Sequence, residues 1–348
     1  MAATIKDIAK ETGLGLATIS SYLNGGNVRE KNRVKIEEAI EKLDFEVNEV
    51  ARGLKTNRTK MIGIILPELN NIFFAEIITE LEDVLRGQGY AAMICDCRTD
   101  EKREEEAIDF LKRRRVDGMI IIPTGKSGRG LQEVMDAGKP IVMIDRRIRN
   151  VRCDTVLVDN RGAAEDAIRR LLDRGHRKIG MIAGAEDVYT AEERFQGYCR
   201  ALEAAGIPAE DSLIVRGDYT IRGGSRGIKE LAKHNPDMTA VFISNYEMTL
   251  GAMIELNELG VRIPEEMSVI GFDNIEFAKA CIPRLSIVTQ PTKELGRRAA
   301  ELMLKRLEEK ERTEFETVRL ATSFVEGRSV CCCPDGERGC DETIFVRN

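Results

Sequence analysis

Side chains able to do covalent chemistry are few in this chain and poorly spaced for it. His176 and His234 are its two histidines, and Trp is absent. Neither His stands in a pattern that joins a nucleophile to a base and an orienting acid, and no HExxH helix offers two imidazoles to zinc. Gly125-Lys126-Ser127 follows an apolar run, as the end of a phosphate-cradling loop would. That loop needs a glycine five residues before Gly125, and Ile120 stands there. Gly13-Leu14-Gly15 opens like a dinucleotide fingerprint, but it follows a helical pattern and lacks the third glycine. Cys331-Cys332-Cys333 and Cys340 place four thiols near the C-terminus. Adjacent cysteines rarely ligate one metal, so residues 331–348 are expected to be a disordered tail of reduced thiols. No catalytic residue, no metal site and no cofactor is expected.

The bulk properties narrow the classes further. A chain of 348 residues fits two or three domains. Hydrophobic residues make up 43% and aromatic residues only 5%, so the core must be aliphatic. The net charge of −6 disfavours a protein that coats nucleic acid without selectivity. Residues 1–60, however, carry eleven Lys/Arg against nine Asp/Glu, so a mildly basic head precedes an acidic body. That distribution suits contact with DNA through one end. The N-terminus lacks the apolar stretch of a signal peptide, and no 18-residue apolar run is present. A cytoplasmic protein with mostly reduced cysteines and no membrane contact is expected.

Two textures position these residues. Over the first 60, Thr4 and Asp7 have capping-box spacing, and Ile5, Ile8 and Ala9 share a helical face. After Gly13 a second short helix spans about Leu16 to Leu23 and ends at Asn24-Gly25-Gly26; a third runs from about Glu30 to Leu43. Asn48 is placed to cap a fourth, Glu49 to Lys55, ahead of a polar linker. After Lys60, strand-length apolar runs alternate with helical segments. The runs are Met61–Leu66, Ala91–Cys95, Met119–Ile122 and Pro140–Ile144; the series restarts with Ile179–Ala183, Ser212–Arg216, Ala240–Ile243 and Met267–Phe272. The expected intervening helices are Ala75–Gln88, Lys102–Arg114, Leu131–Ala137, Ala191–Ala205, Gly224–Lys233 and Thr249–Leu259. Two consecutive βαβ series imply two doubly wound lobes with parallel sheets, and ligands of such sheets sit at the carboxyl ends of strands.

The motifs themselves carry a resemblance. Thr4-Ile5-Lys6-Asp7-Ile8-Ala9, Ala17-Thr18-Ile19-Ser20 and Leu23-Asn24-Gly25 closely resemble the head of the lactose-repressor (LacI/GalR) family. Asn48-Glu49-Val50-Ala51-Arg52-Gly53-Leu54-Lys55 resembles its hinge helix. The likeness continues through Asn71-Ile72-Phe73-Phe74, Arg174-Gly175-His176, Arg194-Phe195-Gln196-Gly197-Tyr198 and Ile270-Gly271-Phe272-Asp273, covering about residues 4–328. The implied fold class is an all-α helix-turn-helix head followed by an α/β core of two doubly wound parallel-sheet lobes, similar to periplasmic binding proteins. The implied domains are a DNA-binding head over 1–47, a hinge helix and linker over 48–60, and an effector-binding and dimerisation core over 61–330. Within the core the expected N-lobe is about 61–158 with 288–320, and the C-lobe about 159–287 with 321–330.

The resemblance also implies roles. Leu16, Ala17 and Ser21 would face base edges in the major groove; Thr18, Ser20, Asn24 and Asn32 would bond phosphates, with Thr4 near the backbone. Hinge residues Asn48, Ala51, Leu54 and Lys55 would enter the minor groove, Leu54 wedging between base steps. In the head and hinge the chain departs from the family pattern in three places. Ser21 stands where Arg or His is common, Gly15 replaces the usual Ser cap, and Val47 replaces the Pro before the hinge. With no charged residue between Thr12 and Val28, bidentate Arg–guanine readout is absent, and direct readout is expected to be weak.

In the core the resemblance places Phe73, Phe74, Asp145, Thr190, Arg194, Tyr219, Asn245, Asp273 and Gln290 at the inter-lobe cleft. Carboxylates, a guanidinium and amides bind adjacent hydroxyls in forks, and a ring stacks on a sugar face, so a sugar effector is implied. An ion pair between the lobes is the structural alternative for Arg194 and Asp273. Arg146 and Arg147 leave two alternatives open: recognition of an acidic or phosphorylated ligand, or a solvated edge. Helices near Ala75–Gln88 and Lys102–Arg115 are the implied dimer face, and a homodimer would read a pseudo-palindromic operator in double-stranded DNA. The expected function is a sequence-specific repressor controlled by a small effector, not an enzyme; the alternative is a soluble sugar-sensing protein without DNA function.

Overall fold

A computed structural model describes residues 3–46, 58–125, 128–309 and 314–333. These divide into two compact units, a head ending at Lys60 and a core beginning at Met61. The head packs α1 (Ile5–Thr12), α2 (Leu16–Leu23) and α3 (Glu30–Leu43) around Ile8, Ile19, Ile36 and Ala39. Gly13 ends α1 at φ +67°, a left-handed conformation that glycine adopts without a Cβ penalty. Tyr22 donates its hydroxyl to Glu37 at 2.9 Å, which ties α2 to α3. Lys42 reaches Glu11 at 2.6 Å and ties α3 to α1.

The core holds two sheets of six strands each. The N-lobe uses β1 (Met61–Leu66), β2 (Ala91–Asp96), β3 (Gly118–Ile121), β4 (Ile141–Ile144) and β5 (Asp154–Val158), with α4 (Ile72–Gly87), α5 (Glu101–Arg113) and α6 (Leu131–Asp136) between them. The C-lobe uses α7 (Asn160–Asp173), β6 (Ile179–Ala183), α8 (Tyr189–Ala204), β7 (Ile214–Arg216), α9 (Ile221–His234), β8 (Ala240–Ile243), α10 (Tyr246–Glu258), β9 (Ser268–Phe272), α11 (Ile275–Ala280) and β10 (Ser286–Thr289). The chain then returns through α12 (Thr292–Glu308) and β11 (Thr317–Leu320) to the N-lobe, and through β12 (Ser323–Val325) to the C-lobe. The sheet orders are β11-β5-β4-β3-β1-β2 and β12-β10-β9-β8-β6-β7.

Three expectations are corrected. β12 pairs antiparallel with β10, so the C-lobe sheet is not wholly parallel. Ser286–Thr289 pairs with β9, so the second crossover comes after Thr289 and not at 288. The ordered chain runs past 330: Cys331 N–H donates to Ser268 Oγ at 3.1 Å, and Cys333 N–H to the Arg174 carbonyl at 2.8 Å. The buried His176 ring bridges Thr239 Oγ1 and the Cys331 carbonyl, so residues 331–333 are bound to the C-lobe. Residues 334–348, including Cys340, lie outside the described residues.

The expected helices are present, but several begin earlier than the apolar periodicity indicates. α4 starts at Ile72 because Asn71 accepts the Phe73 N–H at 3.0 Å. α9 starts at Ile221 under Thr220, and α10 at Tyr246 under Asn245. These first-turn residues break the core pattern because they line the space between the lobes. Core periodicity reports only the face turned to the sheet.

α9 and α10 approach so closely that a Cβ on Gly251 would lie 1.8 Å from the Ile221 carbonyl oxygen. Gly251→Ala is expected to destabilise the core by about 2 kcal/mol or more through overpacking. Urea unfolding of the full chain should show the lowered midpoint; an unchanged midpoint would contradict this packing.

Candidate ligand-binding cleft and nucleic-acid interface

The carboxyl ends of β1, β4, β6, β7, β8, β9 and β10 turn toward one cleft of about 710 Å³ between the lobes. All nine residues expected there line it: Phe73, Phe74, Asp145, Thr190, Arg194, Tyr219, Asn245, Asp273 and Gln290. Each arrives by a local device. Asp145 and Asp273 follow β4 and β9 at φ +64° and +62°, in a left-handed turn that swings the carboxylate off the strand direction. Asn245 caps α10 by accepting the Met248 N–H at 3.1 Å. Phe73 and Phe74 sit in the first turn of α4 with their rings edge to face, centroids 5.3 Å apart.

Arg194 is buried, and among the described residues it makes no ion pair. Its Nε donates to Asn160 Oδ1 at 2.7 Å, its Nη1 donates to the Ser244 carbonyl, and its guanidinium lies over the Phe272 ring at 3.8 Å. Neutral acceptors thus hold the cation, and the inter-lobe salt bridge weighed for it is not formed. Asp273 instead accepts Gln290 Nε2 on both oxygens, at 3.0 and 2.9 Å. Burial pushes the Asp273 carboxyl up to about 6, against the opposing pull of Arg194 and of the Gln290 hydrogen bond. Burial likewise raises Asp145, opposed by Arg146 and Arg194. Among the described residues, Asp145 Oδ1 and Gln290 Oε1 are buried without a hydrogen-bond partner. Such atoms cost free energy unless a ligand meets them.

The cleft also takes in residues that were not assigned there from the sequence, four of them charged or amide side chains that bear on its chemistry. Arg146 lies over the Phe74 ring at 5.8 Å, with its Nε 3.5 Å from Asp145 Oδ2, so it belongs to the cleft and not to a solvated edge. Arg147 turns away, over the Tyr189 ring at 5.3 Å. Asn71, Glu68 and Glu247 also line the cleft. The Asn71-Ile72-Phe73-Phe74 motif held the signal for Asn71; Glu247 had none, because a glutamate in a helix's first turn ordinarily reads as a solvated dipole partner.

In the head, Leu16 is 48% exposed and Ala17 is exposed beside it, at a helix start whose cap, Gly15, supplies no side-chain acceptor. Thr18, Ser20 and Ser21 are half-buried along α2, and Asn32 is half-buried on α3. Asn24 is exposed, and its Nδ2 bonds the Ser20 carbonyl at 2.6 Å, closing the C-terminus of α2. Thr4 donates its hydroxyl and its N–H to Asp7 Oδ2 at 2.7 and 2.9 Å. The surface that α2 offers is therefore apolar and hydroxylic, without a charged side chain. Asn48, Ala51, Leu54 and Lys55 lie outside the described residues. No group of His, Cys, Asp or Glu suited to a metal occurs among the described residues.

A helix-turn-helix unit ahead of a two-lobed core, with a polar cleft at strand carboxyl ends, defines a ligand-binding regulator of the periplasmic-binding-protein type. Residues 4–48 match the bacterial regulatory proteins of the lacI family, and residues 59–327 match the periplasmic binding proteins and sugar-binding domain of that family. The chain belongs to the LacI family. It is 33% identical over 308 residues to the transcriptional repressor CytR of Escherichia coli K12, covering 88% of this chain and 90% of that one. Among solved structures it is similar to the regulator CelR in complex with cellobiose (TM-score 0.73, 30% identity, 94% and 99% of the two chains). It is also similar to a LacI family regulator from Enterococcus faecium with bound ribose (TM-score 0.72, 29% identity, 78% and 99%). No helix among the described residues is long and apolar enough to cross a membrane.

The raised carboxyl of Asp273 has a consequence for stability. Its ordinary value is near 3.8 and its folded value about 6, so between pH 4 and 6 the native state holds a proton that the unfolded state has lost. Stability from this group is full below about 4 and falls as pH rises through 6. Asp273→Asn removes the buried charge, keeps a residue tolerant of positive φ, and can pair with a flipped Gln290 amide. It is expected to raise the thermal midpoint at pH 8 by on the order of 2 kcal/mol in stability, with the gain vanishing toward pH 4. Calorimetric scans across that range test it; a lowered midpoint at pH 8 would refute the assignment.

Proposed function

We propose that this chain is a cytoplasmic transcriptional repressor, binding a pseudo-palindromic operator as a homodimer and released from it by a small neutral polyol, an aldose, in the inter-lobe cleft. One observation carries the ligand class. Buried carboxylates, a buried guanidinium and two asparagine amides converge between aromatic side chains, and among the described residues Asp145 Oδ1 and the neighbouring Gln290 Oε1 and Arg146 Nε lack hydrogen-bond partners. Adjacent hydroxyls of a sugar each donate and accept, which such forks satisfy together. The ribose and cellobiose held by similar regulators support the same class. The carboxylates lining the cleft, Glu68, Asp145, Asp218, Glu247 and Asp273, outnumber its guanidiniums, Arg146 and Arg194, which favours a neutral sugar over a phosphorylated one.

Bound effector would draw the lobes together and favour a core state in which the two heads lose operator spacing. That requires unequal affinity for the two states, not binding alone. Dimerisation is supported by exposed apolar side chains on both lobes. Phe110 belongs to one of the two N-lobe helices implied as the dimer face, while Ile254 flanks a groove on the C-lobe with Gly251. The uncharged surface of α2 supports base contact through Leu16, Ala17 and Ser21, with affinity depending more on the hinge residues Asn48, Ala51, Leu54 and Lys55. A catalytic role finds no support in the residues or in the relatives, which are regulators.

The first test is thermal unfolding with a panel of aldoses and their phosphates. A cognate aldose at about 100 times its dissociation constant should stabilise the fold by about 2.7 kcal/mol. Arg194→Ala is expected to abolish that shift while leaving salt-sensitive duplex binding by the free protein intact. A shift confined to phosphorylated compounds overturns the neutral-ligand reading, and loss of all duplex retention at low salt favours a sensor without DNA function. For the dimer, Ile254→Asp should lower the mass measured by light scattering toward that of a monomer; an unchanged dimer mass removes the C-lobe groove from the interface.

A further inference from the structure

Glu247 stands in the first turn of α10 on the C-lobe, yet its carboxylate spans the cleft. Its Oε1 accepts from Asn71 Nδ2 at 2.5 Å, and Asn71 belongs to the N-lobe. Its Oε2 accepts from Asn245 Nδ2 at 2.6 Å on its own lobe. The Asn71–Glu247 contact thus joins the lobes directly, side chain to side chain, away from the crossover segments.

The two asparagines are otherwise committed in parallel. Asn71 Oδ1 accepts the Phe73 N–H at 3.0 Å and caps α4; Asn245 Oδ1 accepts the Met248 N–H at 3.1 Å and caps α10. With both carbonyls spent on helix caps and one amide hydrogen each spent on Glu247, each asparagine has one N–H left for the cleft. We infer that Glu247 is the positioning residue of the cleft: its ionised carboxylate clasps the N-lobe to the C-lobe and fixes Asn71 and Asn245 as donors toward the effector. The effector would then be read there through hydroxyl oxygens that accept.

Both amides donate, so the clasp needs two acceptor oxygens, which only the carboxylate supplies. A protonated Glu247 keeps one carbonyl oxygen and turns its hydroxyl into a donor, leaving one amide facing another donor. The surroundings make that protonation accessible. Burial pushes Glu247 up to about 7, and Glu68 on the loop after β1 and Asp273 after β9 add to it as facing anions, against the Asn71 hydrogen bond and the backbone of its own helix. Glu68 is itself held by the Thr99 hydroxyl at 2.9 Å, and Asp273 by Gln290. The clasp is therefore closed above about pH 7 and released as pH falls below it.

Hydrogen exchange on the free full-length protein tests the clasp without any effector. Protection factors, corrected for intrinsic pH dependence, are read at the Phe73 and Met248 amides at pH 8 and pH 6. In the unaltered chain both are expected to fall about tenfold at pH 6, the scale of one charged hydrogen bond. Glu247→Gln should show the lowered values already at pH 8, at Phe73 across the cleft as well as at Met248, and should remove the difference between pH 8 and 6. Equal Phe73 protection in the E247Q variant and the unaltered chain at pH 8 overturns the inference, because a residue acting only on its own helix would leave the N-lobe cap untouched. The effector arm rests on the sugar-binding reading above and uses D-ribose in the same buffers. If it binds, its affinity should drop about tenfold more from pH 8 to pH 6 in the unaltered chain than in E247Q, where Asp273 alone still titrates in the cleft. A failure of ribose to bind, with the exchange pattern intact, counts against that ligand and not against the clasp.

Discussion

The buried charge between the lobes is the constraint on which the rest of the core depends. Arg194 is withdrawn from water and balanced by neutral acceptors, Asn160 and the Ser244 carbonyl, with Phe272 beneath it. Taking a guanidinium out of water without a direct counter-ion is costly unless nearby negative charge and hydrogen bonds compensate. Asp145 and Asp273 supply that charge at longer range, and their own raised carboxyl groups show how incompletely they are solvated. The cleft is thus assembled at some expense to stability and gains a set of groups ready to meet hydroxyls. Functional sites commonly carry this kind of local cost.

Strand ends and helix starts organise that charge. Asp145, Asp273 and Gln290 follow β4, β9 and β10 directly and Asn245 follows β8 after Ser244, while the first turns of α4, α9 and α10 supply Phe73, Phe74, Ile221, Tyr246 and Glu247. A doubly wound lobe converges its strand carboxyl ends on one side, so two such lobes face each other with all their loop chemistry inward. Each lobe has its own aliphatic core. A cleft between separately packed bodies suits a protein whose output is a change in lobe spacing.

The head works by different means. Its core is four buried side chains with several half-buried neighbours, a small body held together by links such as Tyr22–Glu37 and Lys42–Glu11. Those links are between exposed groups and contribute little stability each. Leu16 and Ala17 stay exposed at a helix start whose cap, Gly15, supplies no side-chain acceptor.

Much of this was legible in the sequence because it is local. Alternating apolar runs and helical periods give two βαβ series, and the order of motifs gives the family and all nine expected cleft residues. Helix starts were read late, since Asn71, Thr220 and Asn245 cap turns whose apolar residues face the cleft and not the sheet. The segments around β5, β10, α12, β11 and β12 do not stand out as elements, because their partners are distant in sequence and short strands have little periodicity. Only tertiary structure could decide that Arg194 is held by neutral oxygens, that residues 331–333 are anchored through His176, and that Glu247 spans two lobes. Each depends on groups at least 34 residues apart, and in the Asn71–Glu247 case 176, meeting in space. Sequence pattern sets which face each element buries; which polar groups then oppose one another is fixed only when the lobes are placed together.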